Sequence, residues 1–173
     1  NTSLINLYLD GNQLTNIDII KNTALTTLNL RYNQLTSIDL SKNIALTRLF
    51  LENNPFENIS TMTVGETYVI KDNIKVPSDK KVTYSIEDSS IAKLENGVIT
   101  AMQNGATRLV IDTGYTSEYE DMKIYIDFVV QSAELSSNIY NINNDLKYIY
   151  TRNDTDINTI VSNISTNIGE IQI

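Results

Sequence analysis

Apolar residues recur at fixed offsets through the opening stretch of the chain. Blocks beginning at Leu4, Leu25 and Leu46 are 21 residues apart (25 − 4 = 21; 46 − 25 = 21). Leu7-Tyr8-Leu9, Leu28-Asn29-Leu30 and Leu49-Phe50-Leu51 fall in register, followed by Asn12, Asn33 and Asn54, and then by Leu14, Leu35 and Phe56. A fixed period with apolar residues at fixed offsets predicts a stack of repeats, each burying its face against the next. In such a stack each Leu-x-Leu is a short strand. Successive strands lie parallel, about 4.8 Å apart. Leu7, Leu9 and their equivalents point inward. The Asn residues turn the chain, and their amides are placed to bond the backbone of their own and neighbouring turns.

The pattern LxxLxLxxNxL resembles the leucine-rich repeat, in the short form common in bacterial surface proteins. Period-2 alternation selects the residues that face outward on the concave side. They form three rows: Asn6, Thr27 and Arg48; Tyr8, Asn29 and Phe50; Asp10, Arg31 and Glu52. The last row alternates in sign, so cross-strand pairs are expected, each contributing at most about 1 kcal/mol when exposed. One reading of this face is a solvated, charge-balanced surface. The other is a recognition face, with Tyr8, Arg31, Arg48 and Phe50 as anchors beside Asp10 and Glu52, because aromatics and Arg dominate binding hot spots. Pro55 stands where earlier repeats have Gln13 and Gln34, so the array is expected to stop there. No cap precedes the first repeat, and further repeats are expected before Asn1.

Beyond Ser60 the 21-residue period gives way to alternation of period 2. Val64 to Ile70 reads as a turn and strand. Val82, Tyr84 and Ile86 share one face of the next. Ala92–Glu95 and Val98–Ala101 flank Asn96-Gly97, a strong two-residue hairpin signal. Arg108 to Ile111 and Lys123 to Val130 complete the set, with Ile124, Ile126, Phe128 and Val130 on one face. Val64-Gly65-Glu66, Val82-Thr83-Tyr84-Ser85, Ser90-Ile91-Ala92-Lys93-Leu94 and Asn96-Gly97-Val98-Ile99-Thr100-Ala101 resemble the group 2 bacterial Ig-like domain. Tyr84 stands where that family has Trp. The resemblance implies a β-sandwich that serves as an extracellular stalk or adhesion module, with no inherited catalytic residue.

Residues 132–173 read as a short module. Ile139–Ile142 and Lys147–Tyr150 flank a polar turn, and Ile157, Ile160, Val161 and Ile164 fall on one face of a helix that Asp154 or Thr155 can cap. The segment is similar to a connector module of Gram-positive surface proteins.

Composition narrows the function. With no Cys and no His among 173 residues, disulfides, thiol or imidazole catalysis and the usual zinc sites are excluded. The net charge of −8 opposes a nucleic-acid partner. No apolar run approaches the roughly 20 residues of a membrane span. Glu118, Glu120 and Asp121 could offer oxygens to Ca²⁺, but their spacing matches no EF-hand loop, and a solvated acidic loop is the plainer reading.

The expected fold is therefore mainly β. A leucine-rich-repeat solenoid (1–60) is joined to an Ig-like β-sandwich (61–131), with a small α+β module (132–173). The expected protein is an extracellular or cell-wall adhesin, resembling the internalins in architecture. It needs no cofactor or metal, performs no catalysis, and acts as a monomer that binds a surface protein or glycan of host or bacterium. The alternative is the accessory region of a large extracellular enzyme such as a glycosidase or peptidase.

Overall fold

The computed structural model describes residues 1–116 and 122–133. The expected helix and strands of the 132–173 module lie outside the described residues, as do Glu118, Glu120 and Asp121. Among the described residues the chain is mainly β.

Three strands, β1 (Asn6–Tyr8), β2 (Thr27–Asn29) and β4 (Arg48–Phe50), form one parallel sheet in the order β1-β2-β4. The register aligns Leu7 with Leu28 and Leu28 with Leu49, which reproduces the 21-residue period residue for residue. Leu28, Leu30, Leu49 and Leu51 are buried beneath this sheet, as are Leu25, Leu35, Leu40 and Leu46.

Asparagines hold the turns. Asn33 donates from Nδ2 to the carbonyls of Leu9 (2.9 Å) and Leu30 (3.1 Å), and its Oδ1 accepts from the Leu14 N–H at 3.0 Å. Asn54 repeats this one turn on, donating to Leu30 and Leu51 and accepting from the Leu35 N–H. Asn12 bonds only carbonyls of its own turn, those of Leu9 and Asp10. A second ladder runs through Asn1, Asn22 and Asn43. Asn22 donates to the Asn1 carbonyl at 2.7 Å, and Asn43 donates to the Asn22 and Ile19 carbonyls. Each amide supplies donors where the turning backbone leaves carbonyls unpaired.

The second repeat carries a further strand on its back, β3 (Ile38–Asp39). By the period, the third repeat should place Ile59-Ser60 beside it (38 + 21 = 59). Instead the chain leaves the stack there and enters β5 (Thr61–Thr63), then β6 (Thr67–Val69) after a turn at Val64-Gly65. Glu66 N–H donates to Thr63 O across that turn, and Gly65 has φ of +88°, as a type II turn requires. The chain then returns. Strand β7 (Ile74–Lys75) pairs in parallel with β3, aligning Ile38 with Ile74. Ile38 N–H donates to Asn73 O (3.0 Å) and Leu40 N–H to Lys75 O (2.8 Å). A segment from beyond the repeats thus occupies the position left vacant by the third repeat. Sequence periodicity placed neither β5 nor β7, because both are too short to show alternation.

The remaining strands are β8 (Thr83–Ile86), β9 (Ala92–Glu95), β10 (Val98–Ala101), β11 (Gly105–Asp112) and β12 (Ile124–Gln131). They build a three-stranded sheet, β6-β10-β9, and a four-stranded sheet, β5-β12-β11-β8. Asn96 and Gly97, with φ of +51° and +77°, form the two-residue turn between β9 and β10. Ile124, Phe128 and Val130 of β12 are buried, as is Ile99 of β10. These side chains join those of the repeats in one continuous hydrophobic core.

A buried carboxylate stands where the two regions meet. Glu57 is 4% exposed. Its Oε2 accepts from the Tyr68 hydroxyl at 2.9 Å and its Oε1 from the Lys71 N–H at 2.9 Å. Burial raises the Glu57 pKa above the ordinary carboxylate range, against the lowering effect of those two bonds and of the Lys71 charge. Burial also pushes the Tyr84 hydroxyl up to about 12, and the charges of Asp72 and Glu57 add to it.

Candidate recognition face

The outward rows of the parallel sheet meet different fates. Tyr8 stands 60% exposed on β1. Asp10 is exposed, and its Oδ1 accepts from Asn29 Nδ2 at 3.1 Å. Arg31 grips Glu52 through two bonds, Nε to Oε2 at 2.7 Å and Nη2 to Oε1 at 2.8 Å. Both side chains are mostly shielded from solvent, which makes this the strongest ion pair of the face.

Phe50 departs from the expectation of an outward anchor. It is only 4% exposed. The Arg31 guanidinium lies 4.4 Å from its ring centroid and that of Arg48 lies 5.5 Å away. An apolar ring on a concave face loses more by hydration than it gains there, so the two cations lay their flat groups over it. Phe50 thus underlies the face and orients Arg31 and Arg48. Thr27, assigned to the same face, is also buried. What the face offers a partner is Tyr8, Asp10 and Arg48, with the Arg31–Glu52 pair between them.

Tyr32 escaped the sequence reading. It is 62% exposed, immediately beyond Arg31, and its φ is +55°. The period could have revealed it: Gly11, Tyr32 and Asn53 share one register position, and two of the three are residues that tolerate a left-handed backbone. The second asparagine ladder was equally legible, since Asn1, Asn22 and Asn43 each precede a block leucine by three residues.

The four-stranded sheet carries a shallow cleft bordered by Glu87, Arg108, Asp127 and Phe128. Arg108 Nε lies 3.2 Å from Glu87 Oε2 and 3.1 Å from Asp127 Oδ1, so its charge is already engaged. Among the described residues no three acidic side chains gather as a metal site.

The fold is a three-stranded parallel sheet built from a 21-residue repeat, continued by a region of two further sheets, one antiparallel and one mixed. A leucine-rich repeat family model matches residues 24–43, which span the second repeat. A second model, described as hyaluronate lyase, N-terminal beta-sheet domain, matches residues 67–119. No curated protein matches the chain. Among solved structures, the functional domain of InlJ from Listeria monocytogenes, described as including a cysteine ladder, is similar at 14% identity with a TM-score of 0.27. That match covers 74% of this chain and 41% of the InlJ chain, so this chain spans less than half of that protein's structure. A likeness at that score carries no argument about function.

Proposed function

We propose that this chain is a non-catalytic recognition segment of a bacterial surface or secreted protein. It binds a surface protein or glycan through the concave face of its repeats. The region from residue 61 to 131 is read as a bacterial Ig-like module that caps the stack and spaces it from whatever follows. The observation that carries this reading is the parallel sheet itself. Along it and the turns that follow its strands, Tyr8, Asp10 and Arg48 are exposed beside the Arg31–Glu52 pair. Stacked repeats use such faces for binding. The net charge of −8 directs the search away from nucleic acids.

The test is binding of the labelled chain to a panel of host-cell and bacterial surface glycans and proteins, beside a variant carrying Tyr8→Ala and Arg48→Ala. Both side chains are exposed, so the variant should melt as the parent does. Binding lost in the variant supports recognition by this face. Binding retained in full contradicts it.

A second reading has one observation in its favour, the match of residues 67–119 to an N-terminal β-sheet domain of hyaluronate lyase. In that reading the chain is an accessory region of an extracellular enzyme whose catalytic part is elsewhere. A parent chain that binds nothing on the panel would favour it.

A further inference from the structure

We infer that strands β5 and β12 form a mechanical clamp, which resists tension between the repeat stack and the chain beyond Gln131. This rests on the recognition reading above, since a ligand held on the repeats pulls them away from the chain that follows.

The joint has little slack on either side. Ile59 is buried at the end of the third repeat, and only Ser60 separates it from the first residue of β5. Gln131 is the last residue of β12, and it pairs with Thr63 at the far end of β5. The two strands run parallel, with Thr61 beside Val129 and Met62 beside Val130. Tension draws β5 toward its N-terminal end and β12 toward its C-terminal end. In a parallel pair those directions are opposite, so the strands are loaded in shear. The bonds of a parallel ladder are evenly spaced along the strands, so shear stretches them together rather than in turn. Val129 N–H donates to Ser60 O at 3.0 Å and Val64 N–H donates to Gln131 O at 2.9 Å, closing the two ends of the ladder.

The neighbours concentrate the load on this pair. Along its other edge β12 is held by β11, from Gly105 beside Val130 to Ile111 beside Ile124. Among the described residues β5 has no other strand partner. Met62 is buried, so sliding β5 along β12 also drags this side chain out of the core. The antiparallel joint between β11 and β12 differs. Pulled apart at its open end, it loses its hydrogen bonds one pair at a time.

The turn after β5 allows a selective test. In the type II turn Thr63-Val64-Gly65-Glu66, Val64 occupies the second position, where proline is favoured. Val64→Pro keeps the turn and removes the N–H that closes the ladder at Gln131.

The experiment stretches single full-length chains through pairs of introduced cysteines, which are unique because the chain has none of its own. Asn58→Cys with Ala133→Cys loads β5 against β12 in shear. Asn104→Cys with Ala133→Cys opens β11 from β12 at the end where Gly105 pairs with Val130. All three positions are exposed. At one pulling speed the shear pair is expected to yield at a force at least about twofold higher than the unzipping pair, since forced unfolding is governed by the unfolding rate. Val64→Pro should lower the shear force by roughly a quarter, as one bond of an evenly spaced set is lost. It should leave the unzipping force unchanged and shift Tm by no more than a few degrees. Equal forces in the two directions would overturn the proposal, and so would a shear force untouched by Val64→Pro. The comparison of directions needs no change in the ladder, so it holds even if Val64→Pro folds poorly. No ligand enters the measurement, so its failure is distinct from that of the recognition reading, which the binding panel decides.

Discussion

The first and third repeats are built from the same sequence pattern, yet within this chain they differ in burial. At the first repeat, Leu4, Leu7, Leu9, Leu14 and Ile17 are only partly buried, and Ile5 is 55% exposed. At the third, Leu46, Leu49, Leu51, Phe56 and Ile59 are all buried. Asn12 reaches only carbonyls of its own turn, whereas Asn54 joins three groups across two turns. A repeat's leucines and its asparagine are stabilised by the neighbour they stack on. At the third repeat that neighbour is the following β region. It supplies β7 as a substitute strand and the Glu57–Tyr68 bond as a polar tie. Within this chain the same residue types thus carry unequal free energies in the first and third repeats.

The largest test of this contrast is a charge placed in each end. Ile74→Asp would bury an unpaired carboxylate at a site 3% exposed, where the side chain seals β7 against the stack. It should cost more than about 4 kcal/mol, read as loss of the folded transition in chemical denaturation. Ile5→Asp, at the exposed end, should stay within about 1 kcal/mol of the parent by the same measurement. Equal costs would break the comparison.

The asparagines should divide in the same way. Asn54→Ala strands the Leu35 N–H and the Leu51 carbonyl in buried surroundings, while Asn33 still serves the Leu30 carbonyl, and should cost about 2–3 kcal/mol; Asn12→Ala should cost less than about 1 kcal/mol. A third expectation concerns the face. A double-mutant cycle of Arg31→Ala with Glu52→Ala should give a coupling of about 1 kcal/mol, shrinking as salt is added. Arg31→Ala alone should also increase solvent access to Phe50, measurable by fluorescence quenching at an introduced Phe50→Trp.

The smallest expected effect is a pH slope. Glu57 holds its proton more tightly folded than unfolded, since its pKa is raised by burial. Its contribution to stability therefore increases as pH falls from about 7 to about 4, and declines again as pH rises through the folded pKa. Glu57→Gln removes that titration. The stability difference, parent minus variant, should grow on acidification, as followed by melting curves across that range. A flat difference would mean that Glu57 is no more desolvated than an ordinary surface carboxylate.

Much of the stack was legible because a 21-residue period repeats its own evidence. The inward leucines and the Asn33 and Asn54 ladder follow from spacing alone. The hairpin at Asn96-Gly97 was legible because its turn admits few other residues. Strands β5 and β7 were not, since two or three residues cannot display alternation, and β7 owes its conformation to a partner some 36 residues earlier in the chain (74 − 38 = 36). On the candidate face, alternation identified the outward positions of Tyr8, Asp10 and Arg31, but it cannot tell an open position from one roofed by its neighbours. Phe50 was misjudged for that reason: two arginines from rows beside it lie over its ring. Apolar periodicity does not mark Tyr32, which lies in a turn where backbone sign rather than side-chain polarity carries the information.

The most direct test of the central claim, that the β region closes the stack and forms one unit with it, is native-state hydrogen exchange at Ile38 and Leu40. Their N–H groups donate to Asn73 and Lys75 across the β3–β7 seam. Both amides should be protected to the same degree as that of Leu109 in the four-stranded sheet, and should exchange far more slowly than that of Gly11 in the exposed first repeat. Exchange at Ile38 and Leu40 as fast as at Gly11, with Leu109 still protected, would mean that the two regions open independently, and would contradict it.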